Sequence, residues 1–306
     1  MMDKQSIITG LRRHLTMFTH TIGERSVRQP DNLEKSAAYI QAHIEGHGMP
    51  VQRQSYRYRD IEVSNVVARL KSAPNPSKHY VLGAHYDAVD GTVGADDNAS
   101  AVAVLLETAR VMQSAPAQDN GAVDITFAAF TLEESPAYGT RHMGSRVFAS
   151  RARHEAVAID GMICLEMVGY TCREPGCQRY PFPLRFFKYP KTGDFIGIVG
   201  NLNSAAFTRR LRRSFESNPN LPVVALTVPL NGWLMPNVRL SDHASFWNYG
   251  YRAVMVTDTA FYRNPHYHLP SDSMQTLDFD FMAELVGSLV GFFRSRRPQG
   301  SARKVN

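Results

Sequence analysis

Hydrophobic positions along this chain alternate between a period near 3.6 and short unbroken runs, the signature of helices interleaved with buried strands. Ile7, Ile8, Leu11, Leu15 and Phe18 recur at helical spacing and predict an amphipathic helix over 3–20. After a break at Arg28 to Pro30, Asp31 can cap a second helix to about His47, with Ala37, Ile40 and Ile44 on one face. Val51 to Tyr58 alternates and predicts an edge strand, and Ile61 to Leu70 predicts another. Val81 to Ala84 is the apolar run of a buried parallel strand, with His85 at its end. Gly91 and Gly94 allow a tight loop. A helix then begins near Ala99, capped by Asn98 or Ser100, with Val102, Leu105, Leu106, Ala109 and Met112 inward.

The second half continues the alternation. Strands are predicted over Val123 to Thr131, Gly161 to Val168, Phe195 to Val199, Val223 to Val228 and Ala253 to Thr257. Helices are predicted over Gly139 to Ser150, Ser204 to Glu216, Asp242 to Tyr249 with Ser241 as cap, and Asp278 to Arg294. Residues 169–192 read as one long loop, and long loops inside a domain are often functional. No stretch has the character of an interdomain linker. The pattern predicts a single three-layer α/β/α domain over 1–295, with a mostly parallel mixed sheet and helices on both faces. Residues 296–306 form a basic tail.

Composition adds limits. At 306 residues, 43% hydrophobic and 20% charged, the chain is ordinary for a soluble enzyme with a sizeable core. Its net charge is +6, yet residues 294–306 carry Arg294, Arg296, Arg297, Arg303 and Lys304 with no acid. The basic excess is therefore mostly a solvated tail, and no nucleic-acid partner is expected. No apolar run reaches transmembrane length, and Met1 to His20 lacks the apolar core of a signal peptide. The expectation is no membrane partner and a cytoplasmic location; oligomeric state is not indicated. Cys164 reads as a buried thiol; Cys172 and Cys177 are close enough to staple a loop but are expected reduced.

Candidate chemistry gathers where strands end. His85 and Asp87 are two residues apart, so on an extended backbone both side chains point the same way. Asp87 can then hold the imidazole while His85 binds metal. The adjacent Glu133 and Glu134 diverge and can do two jobs, one binding metal and the other holding a proton. Glu166 stands in the apolar run Ile163 to Val168, where a carboxylate must be paired, protonated or metal-bound. His266 and His268 share a loop, and only one need be a ligand. Each feature alone has a bland reading: a strand-end histidine, a surface acid pair, a buried salt bridge.

Five segments in order change that: His85-Tyr86-Asp87, Gly94-Ala95-Asp96-Asp97-Asn98-Ala99-Ser100, Glu133-Glu134, Glu166 in its strand, and Tyr267-His268 followed by Asp272. Together they resemble the di-zinc exopeptidases that include bacterial leucyl-type aminopeptidases, with glutamate carboxypeptidase II and the glutaminyl cyclases as relatives. The resemblance covers roughly residues 30–295. It implies two Zn2+, one held by His85, Asp97 and Glu166, the other by Asp97, Glu134 and His268, with Asp97 bridging. It implies Glu133 as general base, Asp87 behind His85, and a peptide substrate. Many family aminopeptidases carry Asp where Glu166 stands. Ser241-Asp242-His243 resembles a family element near the substrate pocket, although a helix cap explains it as well. The leading expectation is an aminopeptidase; a single-zinc glutaminyl cyclase and a carboxypeptidase, the latter using the Arg-rich 173–188 loop, are the rivals. Tyr170, Tyr180 and the 169–192 loop are expected to shape the pocket.

Overall fold

A computed structural model describes residues 3–71, 76–114 and 123–295. The basic tail at 296–306 and most of the 114–121 linker lie outside them. Helix α1 (Lys4–Thr16) begins at Asp3, whose carboxylate accepts from the Gln5 amide, and runs on through a wider turn at Met17–Ile22. Helix α2 (Pro30–Gly46) starts at Pro30 with no side-chain cap. Asp31 is not the cap: proline presets the first helical position, and Asp31 falls inside the first turn, where its charge still favours the helix N-terminus.

One sheet of eight strands follows: β1 (Val51–Tyr58), β2 (Ile61–Leu70), β3 (Lys78–His85), β4 (Val123–Phe130), β5 (Gly161–Glu166), β6 (Ile196–Asn201), β7 (Val223–Val228) and β8 (Ala253–Thr257). Their spatial order is β1-β2-β4-β3-β5-β8-β6-β7. The β3/β4, β3/β5, β5/β8 and β6/β7 pairs are parallel; β1/β2, β2/β4 and β6/β8 are antiparallel. The alternating strand β1 lies at an edge, as its pattern requires.

Helices cover both faces. α1, α2, α3 (Ala101–Gln113), α5 (Ala205–Phe215) and α7 (Phe279–Arg294) pack on one, and α4 (Gly144–His154) and α6 (His243–Asn248) on the other. Strand β3 shows why both layers are needed. Leu82 and Ala84 join the larger apolar cluster while Val81 joins the smaller one, so alternate side chains are buried on opposite faces. α4 begins at Gly144, five residues later than its pattern suggests. Gly139 takes a left-handed φ of 68°, and the Gly144 amide donates to the Thr131 carbonyl, so the intervening chain is a turn.

The 169–192 loop corrects the cysteine expectation. Cys172 and Cys177 form a disulfide. Sequence cannot show that the loop folds back: Cys172 and Gly193 exchange backbone hydrogen bonds, and the Gly176 and Gln178 amides both donate to the Lys191 carbonyl. Cys164 is a buried free thiol, as expected.

Candidate metal centre

β4, β3 and β5 are neighbouring parallel strands, so their carboxyl ends open on one side of the sheet, where ligands gather in α/β folds. His85 ends β3, Glu166 ends β5, and Glu133 and Glu134 follow β4 after Thr131 and Leu132. Leu132 and Met167 are left-handed, at φ 59° and 47°, and turn the chain sharply beside these carboxylates. Asp97 comes from the turn before α3. That turn depends on Gly94, left-handed at φ 48°, where a Cβ would collide with the Asp97 carbonyl. His268 arrives from the loop before α7 and is itself left-handed at φ 57°. Such conformations concentrate at functional sites.

The side chains converge. Asp97 Oδ1 lies 3.5 Å from His85 Nε2, and its Oδ2 lies 3.0 Å from His268 Nε2. Glu166 Oε2 is 3.4 Å from His85 Nε2, and Glu134 Oε1 is 3.6 Å from His268 Nε2. Asp97 thus sits between two donor groups and offers one oxygen to each. Glu133 Oε2 is farther out, 3.9 Å from His85 Nε2. His85 Nε2 and Asp97 Oδ1 are buried and have no hydrogen-bond partner. Orphaned imidazole and carboxylate donors facing one point fit a zinc ion.

Electrostatics agree. Burial, then the Asp97 charge, pushes Glu134 up to about 7. Burial also drives Glu133 well above the usual carboxylate range, with Glu134 and Glu166 adding repulsion. Burial opposes the charge of Asp97, but the adjacent His268 and His85 imidazoles outweigh it and hold its pKa low. His268 rises to about 10: burial lowers it, and the adjacent Asp97 and Glu134 carboxylates more than reverse that. A buried group of acids such as this holds protons unless cations replace them.

The supporting layer is mostly backbone-directed. His85 Nδ1 donates to the Asp87 carbonyl at 3.2 Å, which leaves Nε2 free for a metal; the Asp87 carboxylate is 3.4 Å from the same nitrogen. That carboxylate also accepts from the Glu133 and Glu134 amides at 3.1 and 2.9 Å, tying β3 to the turn after β4. Asp272 does the same for the amides of Asp96 and Asp97. Asn98 is not a cap: its side chain bridges the Leu165 carbonyl and the Met167 amide around Glu166. Nor does the Ser100 side chain cap α3; its hydroxyl donates back to the Asp96 carbonyl. Ser241 is not a cap either, since its hydroxyl donates to Glu166 Oε2 at 2.6 Å. His266 lies apart, bonded to Ser271.

Asp258 and Arg25 were not legible as functional, and Asp242, in a segment that resembles a family element near the substrate pocket but that a helix cap explains as well, has surroundings the sequence did not show. Asp242 is fully buried, both its oxygens lack hydrogen-bond partners, and burial pushes it up to about 7. Asp258 follows β8, and burial and the neighbouring Asp96 charge drive it well above its usual range. Its position after a strand was the available signal. Arg25 is fully buried and donates to five carbonyls, those of Phe18, Gly23, Tyr86, Val93 and Gly94. It therefore grips the chain beside His85 and beside Asp97.

A cavity opens next to Glu166. Its walls are mostly apolar and include Tyr180, Leu184, Phe195, Ile198, Leu226, Met255, Phe261 and Tyr267. Tyr180 thus shapes the pocket, whereas Tyr170 does not line it and packs on His266 instead. A second cluster, His14, His43 and Glu107, lies between α1, α2 and α3. There His14 links Tyr39 to Glu107, and Arg110 neutralises Glu107, so the group reads as a packed polar junction.

Residues 65–289 match the model of peptidase family M28. An Escherichia coli relative, the uncharacterized protein YfbL, is 35% identical over 288 residues, spanning 92% of this chain and 85% of its own. Among solved structures, the zinc aminopeptidase BSAP from Bacillus subtilis superposes with a TM-score of 0.70 at 15% identity, covering 93% of each chain. Porphyromonas gingivalis glutaminyl cyclase superposes with a TM-score of 0.66 at 17% identity, covering 95% of this chain and 97% of its own. At these identities the superpositions speak for the fold.

Proposed function

The chain belongs to peptidase family M28, a family of zinc metallopeptidases, and from that premise we propose a two-zinc aminopeptidase that releases apolar residues from peptide amino termini. In this reading His85, Glu166 and Asp97 would hold one zinc, and His268, Glu134 and Asp97 would hold the second. Zinc bound there would supply Lewis acidity toward the scissile carbonyl and the attacking water. Glu133, buried at the edge of the centre and 3.9 Å from His85 Nε2, would take a proton from that water and return it to the leaving amine. Asp87 positions Glu133 through its amide. Glu166 stands at both the centre and the cavity wall, so a side chain lodged in the cavity leaves its own backbone at the centre.

The observation that carries the reading is this junction of an acid-rich centre with an apolar cavity. Buried carboxylates attract a protonated amino terminus and repel a substrate carboxylate. The carboxypeptidase alternative has one observation in its favour, Arg179 on the cavity wall, but that guanidinium is exposed.

The test measures metal content together with turnover of unblocked aminoacyl-anilides, for wild type and Glu133→Gln. Two zincs per chain, release from leucyl and phenylalanyl substrates, no release from their N-acetyl forms, and a silent variant that keeps its zinc are expected. One zinc with ammonia loss from N-terminal glutamine would replace the reading with the cyclase.

A further inference from the structure

Two loops at the cavity mouth carry most of the large apolar side chains that the described residues leave in water. Phe182, Phe186 and Phe187 are 70%, 70% and 64% exposed on the first, and Leu230, Trp233 and Leu234 are 65%, 67% and 71% exposed on the second. The cavity uses other positions of the same loops, namely Tyr180, Leu184, Tyr189, Val238 and Leu240. None of the six exposed residues lines it, so lodging a substrate side chain does not account for them. Clustered exposed apolar side chains mark a contact surface.

The charge pattern says what kind. Residues 175–193 contain no acid, and Arg179, Arg185, Lys188 and Lys191 are all exposed there. Residues 229–241 also contain no acid. The exposed Arg185 lies over two of the rings, 4.9 Å from the Phe186 centroid and 5.8 Å from that of Phe182, while the buried Arg239 backs the Trp233 ring at 4.1 Å from inside the fold. Protruding aromatic side chains beside cations, without acids, match the headgroup layer of an anionic bilayer, where rings settle at the interface and cations meet lipid phosphates. A second copy of this chain fits poorly, because a two-fold contact through these loops would set like charges against each other.

We propose that this rim docks on an anionic lipid surface with the cavity mouth toward the headgroups. The contact is peripheral: no helix among the described residues is long and apolar enough to cross a membrane. The expectation of no membrane partner rested on spanning runs and did not weigh loop tips.

The experiment is sedimentation of the full chain with vesicles of phosphatidylcholine alone or mixed equally with phosphatidylglycerol. Wild type is expected to sediment with the mixed vesicles at low salt and to be released at high salt. Phe186→Ser combined with Phe187→Ser and Leu234→Ser should cut partitioning roughly ten-fold or more. Arg185→Ala and Lys188→Ala should each cut it about five-fold. The basic residues at 294–306 are common to all these proteins, so the differences report the loops. Melting curves matching wild type establish that the variants are folded. Absence of binding to mixed vesicles, or binding unchanged in the folded loop variants, overturns the proposal. So does capture by poly-glutamate without vesicle binding, which would assign the rim to an acidic protein partner.

Discussion

Replacing Arg25 with methionine tests how the centre is held. The guanidinium donates to the carbonyls of Tyr86 at 2.7 Å, Val93 at 2.7 Å, Gly94 at 3.0 Å, Gly23 at 3.1 Å and Phe18 at 3.2 Å. Methionine fills much of the volume and donates nothing, so five carbonyls lose a charged donor. Each such bond is worth about 1.5–3 kcal/mol by itself. The five are not additive, because removing the arginine also removes the cost of burying a charge. That cost is visible in its pKa, which burial lowers to about 10 while Asp87, Asp272, Asp97 and Glu134 act to raise it. A net loss of about 3–5 kcal/mol follows, the range for breaking a buried charged network. Arg25→Lys keeps the charge but has only three donors for five acceptors, and should lose roughly half as much. Urea titration in excess chelator reads the folding term. A competition titration with a zinc chelator reads the second effect, because Tyr86 and Gly94 flank His85 and the Asp97 turn; affinity should fall about 10–100-fold. An Arg25→Met protein within 1 kcal/mol of wild type, with unchanged zinc affinity, would refute the reasoning.

Other outcomes are as definite. Glu133→Gln should lower kcat by about 10²–10⁴ while the zinc content stays at the wild-type level. Ser241→Ala removes the 2.6 Å bond to Glu166 and should weaken zinc binding about ten-fold in the same competition titration, with little change in urea midpoint. Burial, then His14 and His47, lowers His43 to about 3, so the unfolded chain takes up a proton below pH 6.5 that the folded chain refuses until about pH 3. Stability should therefore be complete above pH 6.5 and fall as pH drops through that window. His43→Leu should flatten this part of the urea-midpoint profile, damped because the ring is partly exposed.

The strands and helices were legible because each buries one face, and burial leaves a period of 2 or 3.6 in the chain. Glu166 stood out for a related reason, since a carboxylate in an apolar run has few physical explanations, whereas the full ligand set came from the family resemblance. What stayed hidden depends on partners distant in sequence. Asp31, Asn98 and Ser241 all resemble helix caps, because short polar side chains before apolar runs usually are. Asn98 and Ser241 instead serve Glu166 and its strand from elsewhere in the fold, and Asp31 yields its place to Pro30. Arg25 lies in an unremarkable stretch, and only the crossing of its segment with the His85 and Asp97 loops gives it a function. The Cys172–Cys177 bond likewise needed the loop's return path through Lys191 and Gly193.

The order of the strands divides labour across the sheet. The centre draws on the ends of β3, β4 and β5, while Ile198, Leu226 and Met255 on β6, β7 and β8 wall the cavity. The outer pair, β6 and β7, supplies no metal donor and closes one flank of the sheet. Under the proposed aminopeptidase reading, substitutions at Ile198 and Leu226 would alter the cavity wall while leaving the candidate metal donors in place. The sheet thus keeps its candidate reactive edge and its apolar recess on separate strands, so that each can be altered with little effect on the other.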